Sequence, residues 1–330
     1  MALLDVENLA VVLQTQRGRA RAVRDVGFTL DRGQTLGLVG ESGCGKSITA
    51  LALLGLLPER AQVTGSIRFD GQQVVGMPEA ALRALRGDRI GMVFQEPMTA
   101  LNPVHTVGDQ VAEPLRLHRG VSRSQARVQA IALLDRVGIP DARRRADAYP
   151  HQFSGGQRQR VTIAMALACG PDLLIADEPT TALDVTVQQQ ILALIRELVA
   201  ERGMALLLIS HDLGVVAQNV ERLLVMYGGS VVESGPTREV FTNRMHPYTL
   251  GLFGARPRLG AARGGRLATI PGMVPELVDL PPGCPFAGRC AFTIPDCHVT
   301  VPPPYEVGPD HRARCIRLHA VAEARQAGTA

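Results

Sequence analysis

Lysine is almost absent from this sequence of 330 residues. Among 35 basic residues Lys46 is the only lysine, so nearly every positive charge is an arginine. The 31 acidic residues leave a formal net charge of only +4, and the arginines are spread along the chain. Nucleic-acid-binding domains concentrate a basic excess on one face. We therefore expect no nucleic-acid partner.

Long apolar runs are also missing. The longest, residues 48–57 and 161–169, are about half as long as a membrane-spanning helix. Asp5 and Glu7 stand where a secretory signal would carry basic residues. We expect a cytoplasmic chain that does not cross a membrane by itself. A hydrophobic content of 46% with 20% charged residues predicts a folded chain with a substantial core.

The single lysine lies in the stretch GESGCGKS, which begins at Gly40 and ends at Ser47. The spacing of Gly40, Gly45, Lys46 and Ser47 is that of a phosphate-binding P-loop. Glycines let backbone N–H groups point at phosphate oxygens, and a compact ammonium fits where a planar guanidinium is too wide. The Ser47 hydroxyl is suited to Mg²⁺. The apolar run before the loop and the apolar helix after it, stopped at Pro58, give the required order of strand, loop and helix.

The remaining pattern is mixed. Residues 1–38 and 64–71 contain short β-like runs with turns, which predicts a partly antiparallel opening. The period becomes helical over residues 107–137. After residue 155, helices alternate with the buried strands LLIAD and ALLLIS, as in a parallel α/β sheet. Beyond about residue 250, Pro, Gly and Cys become frequent, which predicts an irregular appendage.

Two of the buried strands end in polar residues. LLIADEP ends in Asp177 and Glu178, at the sheet edge where open α/β folds bind nucleotides. Asp177 is suited to Mg²⁺, directly or through a bound water, and Glu178 to polarising a water for attack on a γ-phosphate. His211 follows ALLLIS and could hydrogen-bond the γ-phosphate or hold Glu178, although a lone His there is more often a capping or core residue.

A second glycine-rich helix start, FSGGQRQR at residues 153–160, offers another anion site. Because the chain already has a P-loop, this second site is suited to a different nucleotide, bound across a dimer interface. The order of GESGCGKS, Gln95 in MVFQEP, FSGGQ, LLIADEP, ALD at 182–184 and SHD resembles the ATP-binding cassette (ABC) ATPases over residues 1 to about 245.

This resemblance implies an α/β P-loop NTPase with an antiparallel β subdomain. The expected ATPase domain is residues 1–250, with a helical subdomain inserted at about 96–160, and a Cys- and Pro-rich extension follows at 251–330. The expected cofactors are ATP and Mg²⁺.

The resemblance also assigns roles. It implies that Glu178, His211 and Gln95 are catalytic, and that Ser47, Gln95 and Asp177 hold Mg²⁺. It implies nucleotide contacts for Gly40, Glu41, Ser42, Gly43, Cys44, Gly45, Lys46, Ser47, Ile48, Ser154, Gly155, Gly156, Gln157 and Asp184.

Two positions depart from the family pattern. Phe153 replaces the commoner Leu before SGGQ and keeps an apolar anchor. Leu13 stands where the family often stacks adenine on an aromatic residue, so the packing of adenine is expected to be merely apolar. The side chains of Cys44 and Cys169 are expected to pack in the core.

The stretches HPYTLGLFGARP (246–257) and IPGMVPELVDLPPGCPFAGRC (270–290) resemble the C-terminal region of ATPase subunits of bacterial oligopeptide, dipeptide and nickel importers. The resemblance implies a second ABC ATPase subunit, usually a different chain, and two transmembrane permeases fed by an extracytoplasmic solute-binding protein. It implies a peripheral location on the cytoplasmic face of the plasma membrane. Short peptides are the expected cargo, and nickel or another small solute is the alternative. A soluble ABC ATPase without permeases is disfavoured by the single cassette.

Four cysteines lie in this tail: Cys284, Cys290, Cys297 and Cys315, with 5, 6 and 17 residues between successive pairs. A cytosolic location argues against disulfides. Zinc sites usually have closer pairs, whereas iron–sulfur clusters accept varied spacing, and unligated thiols remain an alternative. The resemblance implies a [4Fe-4S] cluster, which would hold the tail together more readily than perform redox chemistry.

Overall fold

The structure is a computed structural model that describes residues 2–181, 183–255 and 269–326. The strands, in chain order, are β1 (Leu4–Thr15), β2 (Gly18–Leu30), β3 (Thr35–Val39), β4 (Gln62–Phe69), β5 (Gln72–Gln73), β6 (Ile90–Val93), β7 (Leu173–Asp177), β8 (Ala205–Ser210), β9 (Arg222–Tyr227), β10 (Ser230–Pro236), β11 (Tyr305–Gly308) and β12 (His311–Ala313). The helices, in the same order, are α1 (Lys46–Leu53), α2 (Glu79–Leu85), α3 (Pro97–Ala100), α4 (Val107–Arg119), α5 (Arg123–Arg136), α6 (Ala142–Arg145), α7 (Gly155–Ala166), α8 (Val185–Arg202), α9 (Leu213–Asn219), α10 (Thr237–Thr242), α11 (Pro247–Gly254) and α12 (Leu318–Gln326).

The antiparallel sheet has the strand order β2-β1-β4-β5. The short β-like runs expected at the start of the chain are in fact two long strands of 12 and 13 residues, β1 and β2. Their apolar alternation is interrupted at bulges, because the register shifts between Val6 and Leu9 and Asn8 adopts a φ of 49°. A bulge moves the buried positions to the other parity, so one strand resembles two short ones in the sequence.

The second sheet contains the parallel strands of the α/β core. Its order is β11-β12-β10-β9-β3-β8-β7-β6, and the five strands β9, β3, β8, β7 and β6 are parallel. Every residue of β7 and β8 is buried, which explains their continuous apolar sequences. Because β3, β7 and β8 are parallel neighbours, the segments that follow them leave the same edge of the sheet.

Helices α3 to α7 lie between β6 and β7 in the chain. Ser122 accepts a hydrogen bond from the Gln125 backbone and forms a capping box at the start of α5. Helix α1 ends at Leu53, earlier than Pro58, and Gly55 just beyond it adopts a φ of 61°. In the ranges that the structure describes, no helix has both the length and the apolar character needed to cross a bilayer.

The C-terminal extension is continuous with the core, since β12 pairs with β10. A buried carboxylate joins the two parts: Glu233 accepts hydrogen bonds from the backbone N–H groups of Met245 and His246, and His311 Nε2 lies 2.8 Å from its Oε1. The predicted boundary after residue 250 falls within α11. Residues 256–268 and 327–330 of the extension, including the end of HPYTLGLFGARP, lie outside the described residues.

Candidate nucleotide-binding site

The phosphate loop joins β3 to α1. Gly40 has a φ of 156°, and a Cβ atom there would lie 2.2 Å from the carbonyl oxygen of Met226. Gly45 has a φ of 104°, and a Cβ atom there would lie 2.5 Å from the carbonyl oxygen of Ala22. Both positions therefore require glycine for the loop to pack against β9 and β2.

Lys46 is the first residue of α1 and is only 5% exposed. Its Nζ atom donates to the carbonyl oxygens of Gly40 at 2.8 Å and Glu41 at 3.1 Å. The loop thus curls round the ammonium group at the N-terminus of a helix, where unpaired backbone N–H groups also point outward. Positive charge and N–H donors together form a site suited to phosphate oxygens.

The other residues of the loop differ in solvent exposure. Ser42 and Gly43 are exposed, while Ser47 and Ile48 are half-buried. Cys44 is buried in the apolar core, where burial raises the pKa of its thiol. The Cys44 side chain therefore packs in the core as expected, and a contact with nucleotide would have to come from its backbone.

Asp177 ends β7 and is 4% exposed. Burial raises the pKa of its carboxyl, and the charge of Glu178 acts in the same direction, while a hydrogen bond with Ser47 and the charge of Lys46 oppose the shift. The Oδ1 atom of Asp177 is buried without a hydrogen-bond partner among the described residues. A buried, unpartnered carboxylate oxygen beside a hydroxyl is a set of ligands that fits Mg²⁺.

Three side chains meet at one oxygen of Glu178. Its Oε2 atom accepts hydrogen bonds from Gln95 Nε2 at 3.3 Å and Thr181 Oγ1 at 3.0 Å, and His211 Nδ1 lies 3.1 Å away. Glu178 also adopts a φ of 46°, a left-handed conformation that is uncommon for a residue other than glycine. The structure thus brings Gln95, Glu178 and His211 together from three separate stretches of sequence.

The second glycine-rich stretch lies elsewhere. Ser154 caps α7 and forms a capping box with Gln157, whose Oε1 atom also accepts a hydrogen bond from Arg145. In the described part of the chain, the side chains of Ser154 and Gln157 form hydrogen bonds only with each other's backbone N–H groups and with Arg145. A Cβ atom on Gly156 would lie 2.6 Å from Val187 Cγ1, so the stretch packs on α8.

Asp184 caps α8, and its Oδ1 atom accepts a hydrogen bond from the Val187 backbone. Ala182, in the ALD stretch before this helix, lies outside the described residues. The glycines of the second stretch therefore lie against Leu183 and Val187, which flank Asp184 in the sequence. Among the described residues, the side-chain hydrogen bonds of Ser154, Gln157 and Asp184 do not reach the phosphate loop or Glu178.

Two family models match the sequence: "ABC transporter" over residues 23–181, and "Oligopeptide/dipeptide transporter, C-terminal region" over residues 232–297. A Brucella abortus protein named as a peptide import ATP-binding protein is 54% identical over 97% of this chain and 98% of its own length. The chain belongs to the ABC transporter family of ATP-binding proteins. OppD of Salmonella typhimurium, an oligopeptide transport ATP-binding protein, is 50% identical over 96% of this chain and 93% of its own length.

Solved structures of ABC cassettes share the fold. The dimeric cassette MJ0796 in a post-hydrolysis state, bound to ADP and phosphate, aligns with a TM-score of 0.64 and 30% identity over 71% of this chain and 99% of its own. The cassette cbiO1 of Clostridium perfringens aligns with a TM-score of 0.62 and 28% identity over 74% of this chain and 92% of its own. The predictions of an ABC cassette fold and of an ATP-hydrolysing enzyme are confirmed.

Sequence reasoning missed three partners of the ABC site. Thr181 bonds Glu178, and the only signal is a hydroxyl three residues after the carboxylate. The Glu41 backbone N–H donates to Tyr248 Oη at 2.8 Å, and Arg289 donates to both Glu41 carboxylate oxygens at 2.7 and 3.2 Å. The Arg289 side chain is only 7% exposed. The extension of this ABC protein thus holds the phosphate loop at its acidic residue.

The four tail cysteines line one small pocket together with Phe286 and Ile316, and all four are free thiols: Cys284, Cys290, Cys297 and Cys315. Burial raises the pKa of Cys290 to about 11 and that of Cys315 to about 12, with the neighbouring thiols adding to the shift. Backbone N–H groups donate to the sulfurs of Cys290 and Cys315, each at 3.3 Å. No group of three or more His, Cys, Asp or Glu residues within the described ranges has the geometry to hold a metal ion.

Proposed function

We propose that this chain is the ATPase subunit that powers import of short peptides across the bacterial plasma membrane. The observation that carries the hydrolytic role is the convergence of Gln95, Thr181 and His211 on Glu178 Oε2. The peptide cargo is supported by the match of residues 232–297 to oligopeptide and dipeptide transporters and by the names of the relatives.

In this proposal the phosphate loop binds the triphosphate. The Lys46 ammonium and the N–H groups of residues 40–48 neutralise and orient the phosphate oxygens. The Ser47 hydroxyl, the Asp177 carboxylate and the Gln95 amide oxygen hold Mg²⁺, a role that the unpartnered Asp177 Oδ1 supports. Bound Mg²⁺ supplies charge neutralisation at the transferring phosphoryl group.

Glu178 acts as the general base. Its carboxylate takes a proton from a water as that water attacks the γ-phosphorus, and the bond to the leaving oxygen of ADP breaks on the opposite side. Gln95 and Thr181 fix the orientation of the carboxylate through hydrogen bonds to Oε2. His211, whose Nδ1 atom lies 3.1 Å from the same oxygen, holds Glu178 in place.

Ser154–Gln157 and Asp184 serve a nucleotide bound to a second cassette. This assignment is supported by the exposed start of α7, where a helix N-terminus offers N–H donors to an anion. We propose that the second ABC ATPase subunit is a different chain. Closure of the pair drives two transmembrane permeases, to which an extracytoplasmic solute-binding protein delivers the peptide, and the subunit resides at the cytoplasmic face of the membrane.

The complex isolated from native membranes through a tag on this chain is expected to contain permeases and a binding protein, and short peptides are expected to stimulate its ATP turnover. The measurement is phosphate release with and without a peptide mixture, with nickel salts as the matched comparison. Stimulation by nickel alone would indicate that nickel, and not short peptides, is the cargo. Isolation without permeases would contradict the transport role.

We further propose that Cys284, Cys290, Cys297 and Cys315 hold a [4Fe-4S] cluster that fixes the fold of the tail. Support comes from the four free thiols around one pocket and from the N–H donors to two of the sulfurs, since such hydrogen bonds accompany cluster ligands. The sulfurs would have to move closer together on ligation.

The complete chain purified without oxygen is expected to contain about four iron and four sulfide ions per chain, with visible charge-transfer absorbance. Cys290→Ser is expected to lose most of the iron, and Cys169→Ala, which alters a buried core cysteine outside the tail, is expected to retain it. Stoichiometric zinc, or full iron content in Cys290→Ser, would contradict the cluster.

A further inference from the structure

A pocket of about 620 Å³ lies beside the phosphate loop. Ser42 and Gly43 of the loop form one part of its lining, and Leu13 of β1 and Ala20 of β2 form another. Residues 15–17, at the turn between β1 and β2, also line it, and residues 274–278 of the C-terminal extension complete the lining. This pocket is therefore bounded both by the cassette and by the tail.

The lining is chiefly apolar. Leu13 is half-buried and packs on the core beneath the antiparallel sheet, and Val274 is half-buried against the core of the second sheet. Leu277 and Val278 are also half-buried. Apolar side chains on two sides of a cleft that opens at a phosphate loop favour a flat, weakly polar group joined to phosphates, which is the chemistry of a nucleoside triphosphate.

Two arginines hold the tail segment in this position. Arg17, in the turn between β1 and β2, donates to Glu276 at 2.5 Å and to Asp279 at 2.8 Å. Arg289 donates to the carbonyl oxygen of Pro271 at 2.9 Å while it also holds the Glu41 carboxylate. The segment from 271 to 279 is thus tied at one end to the phosphate loop and at the other to the β1–β2 turn.

We propose that residues 274–278 form the second wall of the base site, opposite Leu13, so that the base of ATP lies between the cassette and the tail. This inference rests on the proposed ATPase function and deepens it, because it assigns the base site to this pocket. The tail wall adds to the apolar surface of Leu13, since burial of both faces of the base removes more apolar area from water than burial of one face. Arg17 lines the same pocket, and its ion pair to Asp279, which lies outside the lining, makes Asp279 a positioning residue for this wall.

The test compares ATP with a ligand that has phosphates and no base. Leu277→Asn in the complete chain is expected to raise the Kd for MgATP about fivefold and to leave the Kd for magnesium tripolyphosphate unchanged, because only the base touches the wall. Both constants are measured by equilibrium titration. Met273→Asn is the matched control, because Met273 is 89% exposed and does not line the pocket.

A second variant guards against local misfolding. Asp279→Asn removes an ion pair that ties the wall to Arg17, and Asp279 does not itself line the pocket, so the variant is expected to raise the Kd for MgATP about twofold to threefold, again without changing the Kd for tripolyphosphate. Equal MgATP affinity in wild type and Leu277→Asn, or equal weakening of both ligands, would overturn the inference. Failure of the wild-type chain to bind either ligand would overturn the proposed ATPase function instead.

Discussion

The Glu178→Gln variant is expected to lower kcat for ATP hydrolysis by roughly 10²- to 10⁴-fold while ATP affinity stays within a few fold of wild type. Glutamine preserves the volume of the side chain and can still bond Gln95 and Thr181. It cannot accept the proton of the attacking water, because its amide is not basic. Steady-state phosphate release and equilibrium ATP binding measure the two quantities separately.

Glu59→Gln is the matched control for this variant. Glu59 is an exposed carboxylate outside the site, so the same chemical change is expected to leave kcat unaltered. Wild-type turnover in Glu178→Gln, measured in the assembled complex, would mean that another group takes the proton and that the hydrogen bonds converging on Oε2 have a different purpose.

The Lys46→Arg variant is expected to lose roughly 10- to 100-fold in ATP affinity, although the charge is retained, because a charge-assisted hydrogen bond lost from a buried position costs about 1.5–3 kcal/mol. Lys46 is 5% exposed and its Nζ atom lies within hydrogen-bond distance of two loop carbonyl oxygens. A planar guanidinium is wider than an ammonium and does not fit this ring of oxygens without opening the loop. Titration with a fluorescent ATP analogue measures the loss.

The reverse exchange, Arg60→Lys, supplies the control. Arg60 is exposed, so introducing a second lysine there is expected to leave ATP affinity unchanged. An affinity equal to wild type in Lys46→Arg would show that the loop accommodates the larger group, and the scarcity of lysine elsewhere would then carry no information about the site.

Much of the site could be predicted from the sequence because its parts are local. The phosphate loop depends on glycines and a lysine within eight positions, and Glu178 and His211 lie directly after apolar strands. Parallel pairing of β7 with β8 then brings the two strand ends together without any further information. Short-range spacing therefore indicated that His211 could reach Glu178, whereas Gln95 was assigned only through the family resemblance.

The long-range contacts to Glu41 of the phosphate loop could not be predicted in this way. Tyr248 lies 207 residues after Glu41 in the sequence, and Arg289 lies 248 residues after it. No sequence period or motif spacing connects such distant positions. Arg289 is one of many arginines, and Tyr248 lies in no motif that indicates a contact with the phosphate loop. The pairing of β12 with β10 was also missed, because β12 has only three residues and is too short to show a strand pattern.

The ion pair between Arg289 and Glu41 joins two residues that are synthesised at different times. Chains are made at about 5–20 residues per second, so the phosphate loop waits roughly 10–50 s after its own synthesis before the arginine that holds it has been added. The five parallel strands are synthesised about 3–12 s before that moment, because the last of them ends at Tyr227. All five parallel strands have therefore been synthesised before the arginine that holds the phosphate loop is added to the chain.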